Sequence, residues 1–92
     1  MAFTRDEAVA RARADLAERL GLDEHEVKEE SVADADFPDA NFGASMPGEL
    51  SAQMITPGWR IRLKANGQVY EYRANRNRLR LFNYQGANHR VV

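Results

Sequence analysis

The chain contains no cysteine, and no long apolar run interrupts its 92 residues. Without cysteine it forms neither a disulfide nor a thiolate metal site. No stretch approaches the roughly 20 apolar residues that a membrane-spanning helix needs. The first residues also lack the apolar segment of a signal peptide. We therefore expect no membrane association and, by default, a cytoplasmic protein, unless a leader has been removed.

Basic residues are scarce in the first part of the chain, and acidic residues are scarce in the last. Residues 1–57 hold 13 acidic and 5 basic side chains, whereas residues 58–92 hold 8 basic side chains and one acidic side chain, Glu71. The two parts carry −8 and +7, which gives the net charge of −1. This split indicates either internal charge complementarity or a basic surface for an acidic partner.

The length predicts a single domain over residues 1–92, and its clearest first element is a helix over residues 4–20. Thr4 followed three residues later by Glu7 is the pattern of a capping box. Gly21 suits the left-handed position that ends a helix. The apolar residues that recur at helical spacing are Val9, Ala12, Leu16 and Leu20. They predict one buried stripe facing a sheet.

Alternating apolar and polar residues predict the sheet. Trp59, Ile61 and Leu63 alternate with basic residues, and Asn66-Gly67 is a strong hairpin signal. Pro57-Gly58 predicts a tight turn just before this strand. We expect strands over residues 27–35, 59–65, 68–74 and 78–82, followed by a tail over 83–92. The predicted fold class is α+β, with the helix on one face of an antiparallel sheet of about three to five strands.

A bulge or an edge position is expected in the first strand, because Val27 and Val32 have opposite parity. The long segment over residues 36–57 shows no sustained period, and loops of this length are uncommon unless they are functional or disordered. Its apolar residues are Phe37, Phe42, Met46, Leu50, Met54 and Ile55. We expect them to pin an ordered loop to the core, with a short strand near residues 52–55.

Several short motifs resemble those of an uncharacterised family of small bacterial proteins. The resemblance covers residues 16–81, and its members often carry tryptophan before Pro-Asp, a cysteine in the following loop, and Thr-Pro-Gly-Tyr-Arg-Ile before a hairpin. The matching motifs are Gly21-Leu22, Ser31-Val32, Phe37-Pro38-Asp39, Gly43, Pro47-Gly48, Thr56-Pro57-Gly58-Trp59-Arg60-Ile61 and Tyr70-Glu71-Tyr72. This chain departs from the family in having Phe37 where the family has tryptophan, and in having no cysteine in the loop. Many members are secreted or lipid-anchored, and the family implies no established activity.

The basic face of the predicted sheet is one candidate binding surface. Its residues are Arg60, Arg62, Lys64, Arg78 and Arg80. Such a face either is solvated or binds phosphates, but the sequence pI of 6.1 argues against a dedicated nucleic-acid binder. The loop is the second candidate, with Phe42 and Met46 as partner-binding residues. A loop held in extended form is what a peptidase inhibitor uses.

The sequence shows no catalytic pattern, so we expect no enzyme activity, no cofactor and no metal site. The oxygen-rich run of Asp34, Asp36, Asp39 and Asn41 does not have the spacing of a calcium loop. Short acidic and amide side chains in such runs usually form Asx turns. Without catalysis or a metal site, the remaining classes of function are binding to a partner and a purely structural role.

The predicted function is a non-catalytic interaction or structural module. The first alternative is a peptidase-inhibitor-like domain acting through residues 37–57, and the second is a nucleic-acid or polyanion binder acting through the basic face. We expect an unknown protein partner or self-association, as a monomer or homodimer. Carboxylates of the first strand are expected beside the arginines of the hairpins. Such neutralisation would leave weak or no nucleic-acid binding.

Overall fold

A computed structural model describes residues 2–92 as one helix and five strands, joined in places by short turns. The helix α1 spans Arg5–Leu20, and a 3-10 turn spans Glu24–Glu26. The strands are β1 (Lys28–Phe37), β2 (Thr56–Ala65), β3 (Gln68–Ala74), β4 (Leu79–Tyr84) and β5 (Ala87–Arg90). They form one antiparallel sheet in the order β1-β2-β3-β4-β5. The predicted α+β class is confirmed.

Both ends of α1 follow from local sequence. The Thr4 hydroxyl accepts from the Glu7 N–H at 3.1 Å, and the Thr4 N–H donates to the Glu7 carboxylate at 2.8 Å. Gly21 ends the helix in the left-handed conformation, with φ of 69°. The Leu22 N–H then donates to the Ala17 carbonyl at 2.9 Å. The unpaired backbone groups of the helix ends are thus partly satisfied by their neighbours.

The core lies between α1 and one face of the sheet, here called the inner face. Leu16 of the helix is fully buried against this face. The buried sheet residues in this core are Ile61, Leu63, Ala65, Tyr72, Ala74, Leu79 and Leu81. A polar contact fixes the helix as well, because the Tyr72 hydroxyl donates to the Asp15 carboxylate at 2.7 Å. Burial raises the pKa of Tyr72, and this hydrogen bond raises it further.

A bulge in β1 resolves the mismatch between its two valines. The register shifts between Glu29 and Ser31, so that one extra residue is inserted on the β1 side. Val27 is buried in the core just before the strand, and Val32 packs against the same core from within it. Both valines therefore face α1 despite their opposite parity.

Two local predictions were wrong. Pro57-Gly58 does not form a tight turn but lies inside β2, where Gly58 has no positive φ. A Cβ added at Gly58 would lie 2.2 Å from the Ala74 carbonyl oxygen, so glycine is required by a close approach of neighbouring backbone. Residues 52–55 form no strand.

The predicted tail over residues 83–92 is also incorrect, because it contains the end of β4 and all of β5. Gln85 and Gly86 adopt positive φ and reverse the chain between these strands, and Asn83, also at positive φ, lies where the register of β4 against β5 shifts. The polar and glycine residues that form this turn are also typical of an unstructured tail, and for this reason the sequence predicted a tail here. In residues 2–92, no helix combines the length and apolar character required to cross a membrane.

We predict that Leu16→Ala destabilises the fold by about 2–5 kcal/mol, because it empties a fully buried position. Thr4→Ala removes only a cap and should cost about 1 kcal/mol. Chemical denaturation of both variants measures the difference. If Leu16→Ala costs no more than Thr4→Ala, the assignment of Leu16 to the core is incorrect.

We predict that Gly58→Ala also destabilises the fold, because its Cβ would overlap the Ala74 carbonyl and force β2 and β3 apart. The expected cost is about 1–3 kcal/mol, typical of overpacking. Ala33→Gly, on the exposed part of β1, serves as a control for a glycine–alanine exchange within a strand. Equal stability of Gly58→Ala and wild type would contradict the steric explanation.

Candidate functional site

The outer face of the sheet, opposite α1, carries an uninterrupted row of arginines. Arg60 of β2 lies directly opposite Arg73 of β3, Arg73 opposite Arg80 of β4, and Arg80 opposite Arg90 of β5. We call these four residues the arginine ladder. Like charges directly opposite one another destabilise a sheet unless they are compensated. The ladder therefore requires carboxylates or other acceptors close to it.

Glu71 of β3 is the counter-charge at one end of the ladder and partly neutralises it. Its carboxylate lies 2.7 Å from Arg73 Nε, 3.4 Å from Arg60 Nε and 3.1 Å from Nε of Arg62. Burial of this carboxylate raises its pKa, but the hydrogen bonds from Arg73 and Arg62 outweigh burial, and the pKa of Glu71 lies below its ordinary value. Glu71, the single acidic residue after position 57, thus stays ionised among three arginines.

Glu49, from the loop over residues 38–55, neutralises the other end. Its carboxylate binds Arg80 through two hydrogen bonds of 2.6 Å, and Arg90 at 3.1 Å. Arg80 is only 3% exposed, so this pair is nearly enclosed. The hydrogen bonds from Arg80 and from the Met46 N–H hold the pKa of Glu49 far below its ordinary value. A forked pair of this kind is among the stronger polar contacts in proteins.

Backbone carbonyls of the loop are the remaining acceptors. Arg73 donates to the Phe42 carbonyl at 2.8 Å, and Arg80 donates to the Ala44 carbonyl at 3.2 Å. Arg78, just before β4, donates to the Asn41 side chain at 2.6 Å. A loop without regular structure must satisfy its backbone polar groups elsewhere, and here arginines do so. The loop is therefore anchored to the outer face at several points.

Aromatic rings complete the anchoring. The Phe37 and Phe42 rings are fully buried, with centroids 5.3 Å apart. The Arg73 guanidinium lies 3.6 Å from the centroid of Phe82, within cation–π range. Phe42 has a φ of 61°, which is unusual for a bulky residue. The surrounding contacts hold this strained backbone in place.

The basic residues predicted from the sequence share the outer face, but they differ in access. Arg62 and Lys64 are exposed, and Arg60 is half-buried. Arg80, in contrast, is buried beneath the loop. Phe42 is also fully buried, and Met46 is half-buried. Arg80 and Phe42 therefore anchor the loop and cannot contact a partner directly.

The expected ion pairs between β1 and the hairpins do not form. Within residues 2–92, no carboxylate of β1 lies in an ion pair; Glu49 and Glu71 take that role. Glu29 and Asp34 fail to pair because they lie opposite Leu63 and Trp59, whose side chains face the inner side. The neutralising carboxylates come instead from β3 and the loop.

Asp39 forms the predicted Asx turn. Its carboxylate accepts from the N–H groups of Asn41 and Gly43 at 2.9 and 3.1 Å. Asp34 and Asp36 lie in β1, away from this turn. Across residues 2–92, no group of three or more histidine or acidic side chains has an arrangement suited to a metal ion.

The loop also presents apolar side chains to solvent, contrary to the prediction that they pin it to the core. Leu50 is 95% exposed, Ile55 is 66% exposed and Met54 is 57% exposed. Phe37 and Phe42 are buried anchors, but they pack against each other and beside arginines of the outer face and are not part of the core under α1. Arginine contacts replace the other expected anchors, and this leaves the three aliphatic side chains outside. We call Leu50, Met54 and Ile55 the apolar tip.

A shallow cleft adjoins Leu50 of the apolar tip. It has a volume of about 340 Å³. Its lining residues are Asn41, Glu49, Leu50, Asn77, Arg78, Arg80, Arg90 and Val92. The Arg90 side chain is 63% exposed, and Arg78 is exposed as well. Leu50 thus stands beside two accessible guanidinium groups, an arrangement that the sequence pattern alone did not indicate.

These features define a small α+β protein in which an arginine-rich sheet face is closed by an anchored loop. The chain matches the family described as Domain of unknown function (DUF8738) over residues 9–82, and it belongs to that family. The match begins within α1 and ends within β4, so it includes the whole loop. The resemblance to an uncharacterised family is confirmed. No curated protein and no solved structure matches the chain.

We predict that Glu49→Gln destabilises the protein at neutral pH by about 3 kcal/mol, because it leaves the buried Arg80 without a counter-charge. The pKa of Glu49 is lowered by folding, so its contribution is complete above its ordinary value of 4.5 and is lost as the pH falls toward the folded-state value. The stability difference between wild type and Glu49→Gln should therefore shrink in acid.

Urea denaturation at a series of pH values measures this difference. Glu24→Gln is the matched control, because Glu24 is exposed and lies in no ion pair within the described residues. A cost of Glu49→Gln that equals that of Glu24→Gln would show that the Arg80 contact does not hold the loop.

Proposed function

We propose that the protein is a non-catalytic protein-interaction module that binds its partner through the apolar tip. The observation that carries this proposal is the 95% exposure of Leu50 within a loop that is anchored on its other side. Exposed apolar side chains that gather in one segment are typical of interaction sites. A loop that only covered the sheet would turn these side chains inward.

The anchoring of the loop supports this role. Arg73, Arg78 and Arg80 hold the backbone near residues 40–44, and the Asn41 side chain donates to the Leu50 carbonyl at 3.3 Å. A loop that is ordered before binding loses less conformational entropy when a partner docks. The buried members of this network, Arg80 and Asn41, therefore favour binding without touching the partner.

The surroundings of Leu50 specify the chemistry of the partner. Arg78 and Arg90 line the same cleft as Leu50, and both are accessible. An apolar centre with a charged rim is the usual anatomy of a protein interface. The partner that fits is a protein surface with an apolar pocket for Leu50 and carboxylates beside it. Opposite charges at the rim mainly increase the rate of association.

The absence of enzyme activity is part of the same proposal. Glu49 and Arg80, the most enclosed charged pair of the outer face, are bound to each other. The lowered pKa of Glu49 keeps it ionised at neutral pH, so it is a poor proton donor there. A peptidase-inhibitor role is a more specific form of the proposal, since it uses the same loop and a peptidase as the partner.

The test compares partner binding by wild type and by a variant in which Leu50, Met54 and Ile55 are all changed to serine. All three side chains are exposed, so the melting temperature should stay close to that of wild type. Affinity capture from the source cell identifies candidate partners, and calorimetry with a purified candidate measures the affinity. We expect at least about a tenfold loss of affinity, as for other central interface residues.

Val69→Ser is the matched control, because Val69 is an exposed apolar residue on β3, outside the loop. The control should bind the partner as wild type does. A purified partner that binds the triple variant as tightly as wild type would refute the proposed role of the apolar tip. Inhibition of a peptidase that is lost only in the triple variant would assign the inhibitor role.

A further inference from the structure

We propose that Lys28, Arg62 and Lys64 form a binding site for a small ligand that carries several phosphate groups. The site lies on the part of the outer face that the loop contacts do not reach. Lys28 and Lys64 lie directly opposite each other across β1 and β2. Arg62 lies two residues before Lys64 on β2, on the same face, opposite Ser31. Three cations and a hydroxyl thus share one exposed surface.

The two lysines are not neutralised within the protein. Neither forms an ion pair in the part of the chain that the structure describes, residues 2–92. Arg62 shares its one carboxylate, Glu71, with two other arginines. Like charges directly opposite one another in a sheet are unfavourable. Of the acidic neighbours on β1, Glu29 lies opposite Leu63, whose side chain faces the inner side, and Glu30 is the extra residue of the bulge; neither forms an ion pair within residues 2–92. The outer face therefore carries an excess of positive charge at Lys28 and Lys64.

The loop leaves this excess uncovered. Its side-chain and backbone contacts reach Arg73, Arg78 and Arg80 and, at β5, Asn88 and Arg90. The three cations of the proposed site remain exposed, with 48% exposure for the Arg62 side chain. Glu49 and Glu71 thus provide counter-charges for the arginines near the loop, whereas Lys28 and Lys64 have none within residues 2–92.

The spacing of the cations indicates the class of ligand. Residues directly opposite in a sheet have Cβ atoms about 5 Å apart, and alternate residues of one strand lie about 7 Å apart. Flexible lysines and an arginine on this scale can hold two or three linked phosphates at once. Within residues 2–92, the exposed large apolar neighbour on this face is Val69, opposite Lys64. The aromatic ring of Phe82, on the same face, is half-buried and covered by the Arg73 guanidinium at 3.6 Å, so it is not free for base stacking.

A thermal shift experiment with sodium tripolyphosphate tests the site. The ligand should raise the melting temperature of the wild type, because binding to the folded state stabilises it. The shift should decrease as sodium chloride is added. Lys64→Glu should abolish the shift. It should also raise the melting temperature without ligand, since it replaces a like-charge pair with an opposite-charge pair, whereas a merely structural lysine would give a decrease.

Arg11→Glu is the control, because it makes the same change of charge at an exposed position of α1, on the other side of the sheet. It should keep the tripolyphosphate shift. An equal loss in Arg11→Glu and Lys64→Glu, or no shift in wild type, would overturn the proposal. Stronger binding of an oligothymidylate than of tripolyphosphate would overturn the assignment to a small ligand and favour a nucleic-acid backbone.

Discussion

The forked ion pair between Arg80 and Glu49 is the contact on which the outer face depends. Arg80 stands in the middle of a row of like charges, nearly without solvent, and Glu49 is the carboxylate that makes this position tolerable. Removing one member of a buried pair costs far more than the pair gains over an apolar equivalent. The loop and the strands are therefore coupled, because each supplies a charge that the other needs.

This coupling explains the orientation of the loop side chains. Guanidinium groups satisfy the loop carbonyls, so the segment needs few apolar anchors, and Phe37 and Phe42 provide them. Leu50, Met54 and Ile55 are then left outside. Over residues 49–55, the Glu49 carboxylate faces the sheet and the three apolar side chains face solvent, the reverse of the common arrangement in small proteins. The charge split along the chain is visible in this contact, because Glu49 of the acidic first part pairs with Arg80 and Arg90 of the basic last part.

The sequence was most informative where structure is determined by near neighbours. The capping box at Thr4 and the Asn66-Gly67 hairpin each depend on a few adjacent residues, and both were predictable. The requirement for glycine at position 58 was not predictable, because it comes from the close approach of the β3 backbone at Ala74. The partners of Arg80 could not be predicted from the sequence either. Glu49 is 31 residues away, and the pairing depends on how the loop crosses the sheet.

The strand order has a consequence for the path of folding. Every strand pairs with its neighbour in sequence, and a long insertion separates only β1 from β2. Sheets built from sequence-local pairings form quickly, whereas closing a long loop is slower because of its entropy. The meander from β2 to β5 can therefore assemble first as a positively charged sheet. Docking of the acidic segment that precedes it completes the native state late.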